Sequence, residues 1–227
     1  ISVFFNKGKK IDIPQTDVNV YDVTGAGDTF IGMISYLLSN NIGLINSIKI
    51  SSYACGKIVQ KKHTAVLSFV EFKKIIEEFC ENDFVDLLLK IRLWKLVKLK
   101  IGVTNGCFDV LHSGHLHLLS EAKKNCDKLI VLLNSDKSIK MIKGKNRPIL
   151  KLNKRIQILK MIKNVDVIKV FEEKTPEKII SKILPDILFK GSDYKTAQVI
   201  GYKLITNNGG KVKIINKLKN FSSTKLV

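Results

Sequence analysis

Two histidines three residues apart, His112 and His115, sit around a glycine in the run Thr104-Asn105-Gly106-Cys107-Phe108-Asp109-Val110-Leu111-His112-Ser113-Gly114-His115. An apolar stretch, residues 99–103, precedes the run and reads as a strand, and residues 116–124 after it read as a helix. A strand, a tight glycine-containing turn and a helix start together make an anion site. The first backbone N–H groups of a helix have no internal partner and carry the positive end of its dipole. Two imidazoles beside such a site suit a triphosphate, because they donate hydrogen bonds to oxygens that gain charge as a P–O bond breaks. A lone histidine is ordinarily a core or surface residue. The string around these two sets them apart.

The rest of the chain bounds what such a site could serve. With 227 residues there is room for one large or two small domains, and 45% hydrophobic content is ordinary for a soluble protein. No apolar run reaches the ~18 residues a membrane span needs, so no membrane partner is expected. The start runs from apolar to basic, the reverse of a secretory leader. Cys55, Cys80, Cys107 and Cys126 form no C-x-x-C pair, which argues against a zinc site and a disulfide framework. The expectation is a cytoplasmic protein with reduced thiols. Net charge is +19, and with arginine only at 92, 147 and 155, 36 of the 39 basic residues are lysine. The lysines are spread along the chain without interleaved stacking aromatics, so they read as solvated surface rather than a nucleic-acid face.

Residues 1–5 and 10–13 flank a hairpin turn at Asn6-Lys7-Gly8-Lys9. The string Asp22-Val23-Thr24-Gly25-Ala26-Gly27-Asp28-Thr29 precedes an apolar-periodic helix, residues 31–38. Further helices are expected at 44–60, packed through small residues such as Ser51, Ser52, Ala54 and Gly56, and at 70–79. Residues 81–98 read as a helical connector. From residue 99 strands (99–103, 129–134, 167–171, 187–190, 211–216) alternate with helices (116–125, 153–163, 176–184, 196–207). Such alternation predicts an α/β domain with a parallel sheet covered on both faces. Ligands then lie beyond the carboxyl ends of the strands, where Gly106, His112, Asp136, Lys190 and Gly191 would fall.

Residues 104–115 match the G-x-F-D-x-x-H-x-G-H signature of the nucleotidyltransferase superfamily. Residues 99–227 as a whole resemble the adenylyltransferase domain of the bacterial bifunctional heptose-7-phosphate kinase/heptose-1-phosphate adenylyltransferases. The strings that carry this are L-x-N-S-D-x-S at 132–138, K-G-x-x-R-P at 143–148, F-E-E-x-T-P-E at 171–177, L-P-D-x-L-x-K-G-x-D-Y-K at 184–195 and S-S-T at 222–224. The resemblance implies a Rossmann-like domain using ATP and a heptose phosphate. Mg²⁺ would arrive mainly with ATP rather than in a protein cage. His112 and His115 would hold the triphosphate and the developing charge. Thr104, Asn105, Gly106, Cys107, Phe108, Lys190, Gly191 and Asp193 would line the nucleotide or sugar pocket. Lys143 and Arg147 are candidate phosphate clamps from a mobile loop, and Ser222, Ser223 and Thr224 would cap a final helix facing the phosphates. Asp109 could orient a histidine, help hold Mg²⁺ or cap the helix start, and Asp136 carries the same ambiguity. Arg155 reads as a helix anchor, and His63 and His117 as structural.

Residues 1–80 resemble the last part of a ribokinase-like sugar kinase, the domain that precedes the transferase in the bifunctional enzymes. The carrier is Y-D-V-T-G-A-G-D-T at 21–29. The resemblance implies that Gly25, Ala26 and Gly27 form an anion hole and that Asp28 is the base taking a sugar hydroxyl proton. The organisation expected is therefore 1–80 partial kinase, 81–98 linker and 99–227 transferase. The kinase fold's long N-terminal sheet and lid have no counterpart in these residues, so a separate N-terminal kinase half and a homodimer are the protein partners to consider. The transferase family also continues past S-S-T with a basic helix, which leaves a late phosphate-binding residue open. Competing readings are a cytidylyltransferase acting on an alcohol phosphate, a basic nucleic-acid-binding protein on a nucleotide-binding scaffold, and a decayed enzyme.

Overall fold

A computed structural model describes residues 1–4, 8, 10–13, 18–61, 66–82, 85–192 and 196–216. The chain divides into two compact units, Ile1–Val97 and Lys98–Val227.

In the first unit β1 (Ser2–Phe4) pairs antiparallel with β2 (Lys10–Asp12), Val3 opposite Ile11. Helices α1 (Ala26–Ser39), α2 (Leu44–Ile58), α3 (Phe69–Cys80) and α4 (Leu87–Leu96) follow. Gly25 enters α1 in the left-handed conformation, φ 81°, which a side chain would resist. On α2 Ser51 and Ala54 are fully buried, while Ser52 and Gly56 stay half-buried. Ser68 and Glu71 form a reciprocal capping box on α3, and Asp86 caps α4 through the amides of Leu88 and Leu89. Residues 81–98 thus contain a capped helix, α4, that belongs to the first unit.

The second unit is α/β. In chain order it runs β3 (Ile101–Gly106), α5 (Ser113–Lys123), β4 (Lys128–Asn134), α6 (Asp136–Lys143), α7 (Leu152–Lys160), β5 (Val167–Phe171), α8 (Glu177–Ile183), β6 (Ile187–Gly191), a 3-10 turn (Thr196–Gln198), α9 (Tyr202–Asn207) and β7 (Lys211–Ile215). Among the described residues the sheet has five parallel strands in the order β5-β4-β3-β6-β7. Strand order reverses between β3 and β6, the place where open parallel sheets leave a crevice for ligand. β4 reads as an apolar run and β3 is buried through its first four residues, because both faces of the sheet centre are covered.

Register is fixed by a repeated device. Asp127, Asp166 and Asp186 each stand just before a strand. Each accepts from an amide at the start of the neighbouring strand: Lys100 N at 2.7 Å, Leu129 N at 2.6 Å and Ile101 N at 2.7 Å. Each Asp amide also donates back, to Lys100 O, Leu129 O and Ile101 O respectively.

Several helix starts differ from expectation, among them α1, which begins at Ala26 rather than 31. α5 begins at Ser113 rather than 116, so His115 lies in its first turn and donates its amide to His112 O at 2.9 Å. The helix expected over 196–207 is broken by Gly201 at φ 89°, leaving a 3-10 turn and the short α9. α6 was not expected at all. Ser135 caps it by accepting from Ser138 N at 3.1 Å.

Candidate functional site

The site grows from the end of β3. Gly106 closes the strand against the ring of Phe108, whose edge lies 3.1 Å from where a Cβ would sit. Phe108 itself turns the chain at φ 45° and is buried. Residue 112 then caps α5 with extended backbone. The glycine between the histidines has a steric reason: a Cβ on Gly114 would lie 3.0 Å from the His112 ring. The two imidazoles stack with centroids 3.9 Å apart, and His115 also meets Phe108 at 5.0 Å.

Four buried polar atoms gather here with no hydrogen-bond partner among the described residues: Thr104 Oγ1, Asn105 Oδ1, Ser113 Oγ and His115 Nδ1. Buried polar groups in folded proteins are nearly always satisfied, and an unsatisfied one costs about 1–3 kcal/mol. A cluster of them at a helix start beside the switch in strand order marks a place built to be filled by hydrogen-bonding ligand atoms.

Cations surround the cluster. Lys190, at the end of β6, is buried and donates to Asn105 O at 3.3 Å, and burial pulls its ammonium down to about 8. Burial likewise lowers His115 to about 4, aided by the charges of His112 and Lys143, so the ring is neutral at pH 7. It can then donate from one nitrogen and accept at the other. Burial raises the Cys107 thiol, although Lys143, Arg155 and Lys190 pull the other way, so it stays protonated.

Other predicted residues fall into a supporting layer. Asp109 caps neither α5 nor a histidine. It accepts from Arg147 Nη1 at 2.9 Å, Ile149 N at 2.7 Å and Leu150 N at 3.0 Å. Burial works to push its pKa up, but the Leu150 amide, Arg147 and the Ile149 amide outweigh that and hold its carboxyl below the usual carboxylate range. Arg147 is therefore tied to a carboxylate, whereas Lys143, in the last turn of α6, is exposed. Asp136 opens α6 and pairs with Arg155 at 2.7 Å. Gly191 ends β6. Asp193, Tyr194, His63 and the Ser222, Ser223, Thr224 string lie outside the described residues. Among the described residues no group of three or more His, Cys, Asp or Glu side chains is arranged to hold a metal ion.

Two contributors escaped the sequence reading. Ser113 was passed over, though its place as the first residue of a helix inside H-S-G-H was the available signal. Arg155, expected as a helix anchor, bonds three segments: the Cys107 turn, the 134–136 stretch that starts α6 and the Leu150 loop.

In the first unit, Gly25 carries the left-handed entry to α1, and the Ala26 amide is used by Val23 O at 3.1 Å. Gly27 and Asp28 are exposed, with nothing within 4 Å of a Cβ at Gly27.

A family model described as cytidylyltransferase-like matches residues 103–226, which includes the whole strand–turn–helix site. The chain belongs to the cytidylyltransferase-like family. The model of the pfkB family carbohydrate kinases matches residues 2–69. The chain is also 39% identical to the "Bifunctional protein HldE" of Nitrobacter winogradskyi, over 97% of this chain and 47% of that one. The protein of the same name from Nitrobacter hamburgensis gives the same figures, 39%, 97% and 47%. That from Rhodopseudomonas palustris is 37% identical over 97% of this chain and 46% of its own. The chain thus spans about half the length of the curated relatives it matches. A lipopolysaccharide core biosynthesis protein from Thermoplasma volcanium shares 32% identity, covering 54% of this chain and 99% of that one, at a TM-score of 0.44. No helix among the described residues is long and apolar enough to cross a membrane.

Proposed function

We propose that the second unit transfers AMP from ATP to D-glycero-β-D-manno-heptose 1-phosphate, giving ADP-heptose and pyrophosphate for lipopolysaccharide core synthesis. The unpartnered buried polar atoms at the β3–α5 junction carry the reading, because phosphate oxygens of a nucleotide would accept from Thr104, Ser113 and His115, and its nucleoside would offer a donor to Asn105 Oδ1. The strings at 132–138, 143–148 and 184–195 support the substrate class through the family resemblance, and the likeness to the bifunctional relatives supports a nucleotidyltransferase.

In the proposed reaction a phosphate oxygen of the sugar attacks the α-phosphorus in line. A new P–O bond forms, the α–β bridge breaks, and pyrophosphate leaves with the electron pair. The protein's work is positioning and charge stabilisation. Neutral His115 and its stacked neighbour His112 hold oxygens of the triphosphate. Ser113 and Thr104 add donors, and Lys143 and Lys190 supply positive charge. Mg²⁺ accompanies ATP and neutralises its phosphates; the carboxylates Asp109 and Asp136 are already engaged with arginines.

The first unit we read as the catalytic end of a sugar kinase. The open start of α1 at Gly25, Ala26, Gly27 and Asp28 is the phosphate end of that site, and a polypeptide carrying the sugar-binding part is the partner it calls for.

The test is pyrophosphate release by the full chain with ATP and heptose 1-phosphate. Release that requires both substrates supports the reading. Release with CTP and an alcohol phosphate instead would replace it with a cytidylyltransferase.

A further inference from the structure

Arg155 is 1% exposed, the deepest cation near the site. Its Nε donates to Leu150 O at 3.0 Å. Its Nη1 donates to Cys107 O and to Asn134 O, both at 2.7 Å, and Nη2 meets Asp136 Oδ1 at 2.7 Å. The three carbonyls come from three segments: the turn after β3, the end of β4 and the loop before α7. The Leu150 peptide is gripped from both sides, its C=O by Arg155 and its N–H by Asp109. Asp109 lies in the β3 turn and also holds the Ile149 amide and Arg147.

For stability alone a buried cation is a poor choice. Apolar residues of similar volume usually serve as well or better. A planar guanidinium does something they cannot: it fixes several acceptors at set mutual angles with its rigid fork of donors. The acceptors it fixes here include the Cys107 turn, which leads from β3 into the His112–His115 pair.

We propose that Arg155 is a positioning residue for nucleotidyl transfer: it clamps the Cys107 turn, the start of α6 and the strap at 149–150 into one geometry, so that the histidines and Lys143 meet the same phosphates. Arg155 itself touches no substrate. The assignment rests on the transferase reading above, but its geometric half does not.

The experiment compares the full chain with Arg155→Lys and Arg155→Met. Displacement of reacting groups by an ångström costs on the order of 100-fold in rate. Both variants should therefore lose about 100-fold in kcat for pyrophosphate release, with the KM for heptose 1-phosphate changed far less. Lysine should fare no better than methionine, since donors on a single nitrogen cannot reproduce the spread of Nε, Nη1 and Nη2 across three carbonyls and Asp136. Recovery of kcat in Arg155→Lys, or wild-type kcat per folded molecule in either variant, would overturn the proposal. Amide hydrogen exchange without substrate gives a readout independent of activity. In the wild-type chain the Ile149 and Leu150 amides should exchange far more slowly than those of Lys145 and Asn146, whether or not any variant folds. In Arg155→Lys that protection should fall while the β4 amides stay protected. Exchange at 149 and 150 as fast as at 145 and 146 sinks the strap. A wild-type chain that releases no pyrophosphate but shows the protected strap refutes the transferase reading and leaves the clamp standing.

Discussion

His115 is neutral because the protein buries it beside two other basic groups, and that sets both its chemistry and its pH behaviour. As a donor aimed at charge that develops in the transition state it should be worth roughly 10²–10³ in kcat. His115→Ala is therefore expected to cut pyrophosphate release by that factor while leaving the fold intact, and an unchanged rate would remove it from the mechanism. The folded imidazole, at about 4, holds its proton less readily than the unfolded one at about 6.5. The unfolded state then binds more protons between those values. The stability linked to this group is fully present above pH ~6.5 and is lost as pH falls toward 4. Calorimetry between pH 7 and 4 should show the melting temperature of the wild-type chain dropping more steeply than that of His115→Gln. Equal slopes would mean that the burial of this ring is not felt. The Asp109 contribution has the opposite origin, a depressed carboxylate, and disappears only at pH below about 3.9. At this scale the sequence told which residues matter more readily than what they touch. The histidine pair and Lys190 were legible from motif strings. The pairing of Asp109 with Arg147, and of Asp136 with Arg155, was not, because each joins residues 38 and 19 positions apart.

The elements were legible where mainly apolar stretches form them and obscure where polar chemistry builds them. β5 spans the predicted 167–171, and β6 runs one residue past the predicted 187–190. Both are apolar stretches bounded by polar turns. α6 hid because it has only eight residues and its start is held by side chains. Beyond the Ser135 cap, Asn134 donates to Ser138 Oγ and Ser138 donates to Glu173 O. The N-S-D-x-S string was noticed as a family mark, yet its local meaning is a helix start. The central strand offers the sharpest test of packing. A Cβ on Gly102 would lie 2.6 Å from Cys126 Sγ, half-buried against the core, and 2.7 Å from the ring of the core residue Phe189. Overpacking a close-packed interior costs about 1–3 kcal/mol. Gly102→Ala should lower the urea midpoint accordingly, and adding Cys126→Ala should recover part of the loss. No recovery would place the strain at Phe189 instead.

As a whole molecule the chain pairs a parallel-sheet unit with a mainly helical one, and the two invite opposite expectations. The first unit presents Asp28 on an exposed helix start, so we expect no ADP formation dependent on heptose 7-phosphate from this chain alone. Kinase activity abolished by Asp28→Asn would overturn that. The second unit should respond to nucleotide. A ligand at ~100 times its dissociation constant stabilises the folded state by about 2.7 kcal/mol, enough to raise the melting temperature by several degrees in a domain of this size. ATP with Mg²⁺ should produce that shift, and CTP much less, if the sugar strings reflect the nucleotide used. The charge of +19 suggests a rival, since counterion release alone binds basic proteins to nucleic acid at low salt. Electrostatic binding of that kind weakens steeply as salt rises, whereas a nucleotide held by His115, Ser113 and Lys190 in a buried cluster is far less screened. The deciding measurement is therefore a melt at physiological salt with ATP, CTP and single-stranded DNA in parallel. A shift led by ATP supports adenylyl transfer. One led by CTP points to the cytidylyltransferase alternative. One led by DNA would make the lysines, and not the histidine pair, the working surface of this protein.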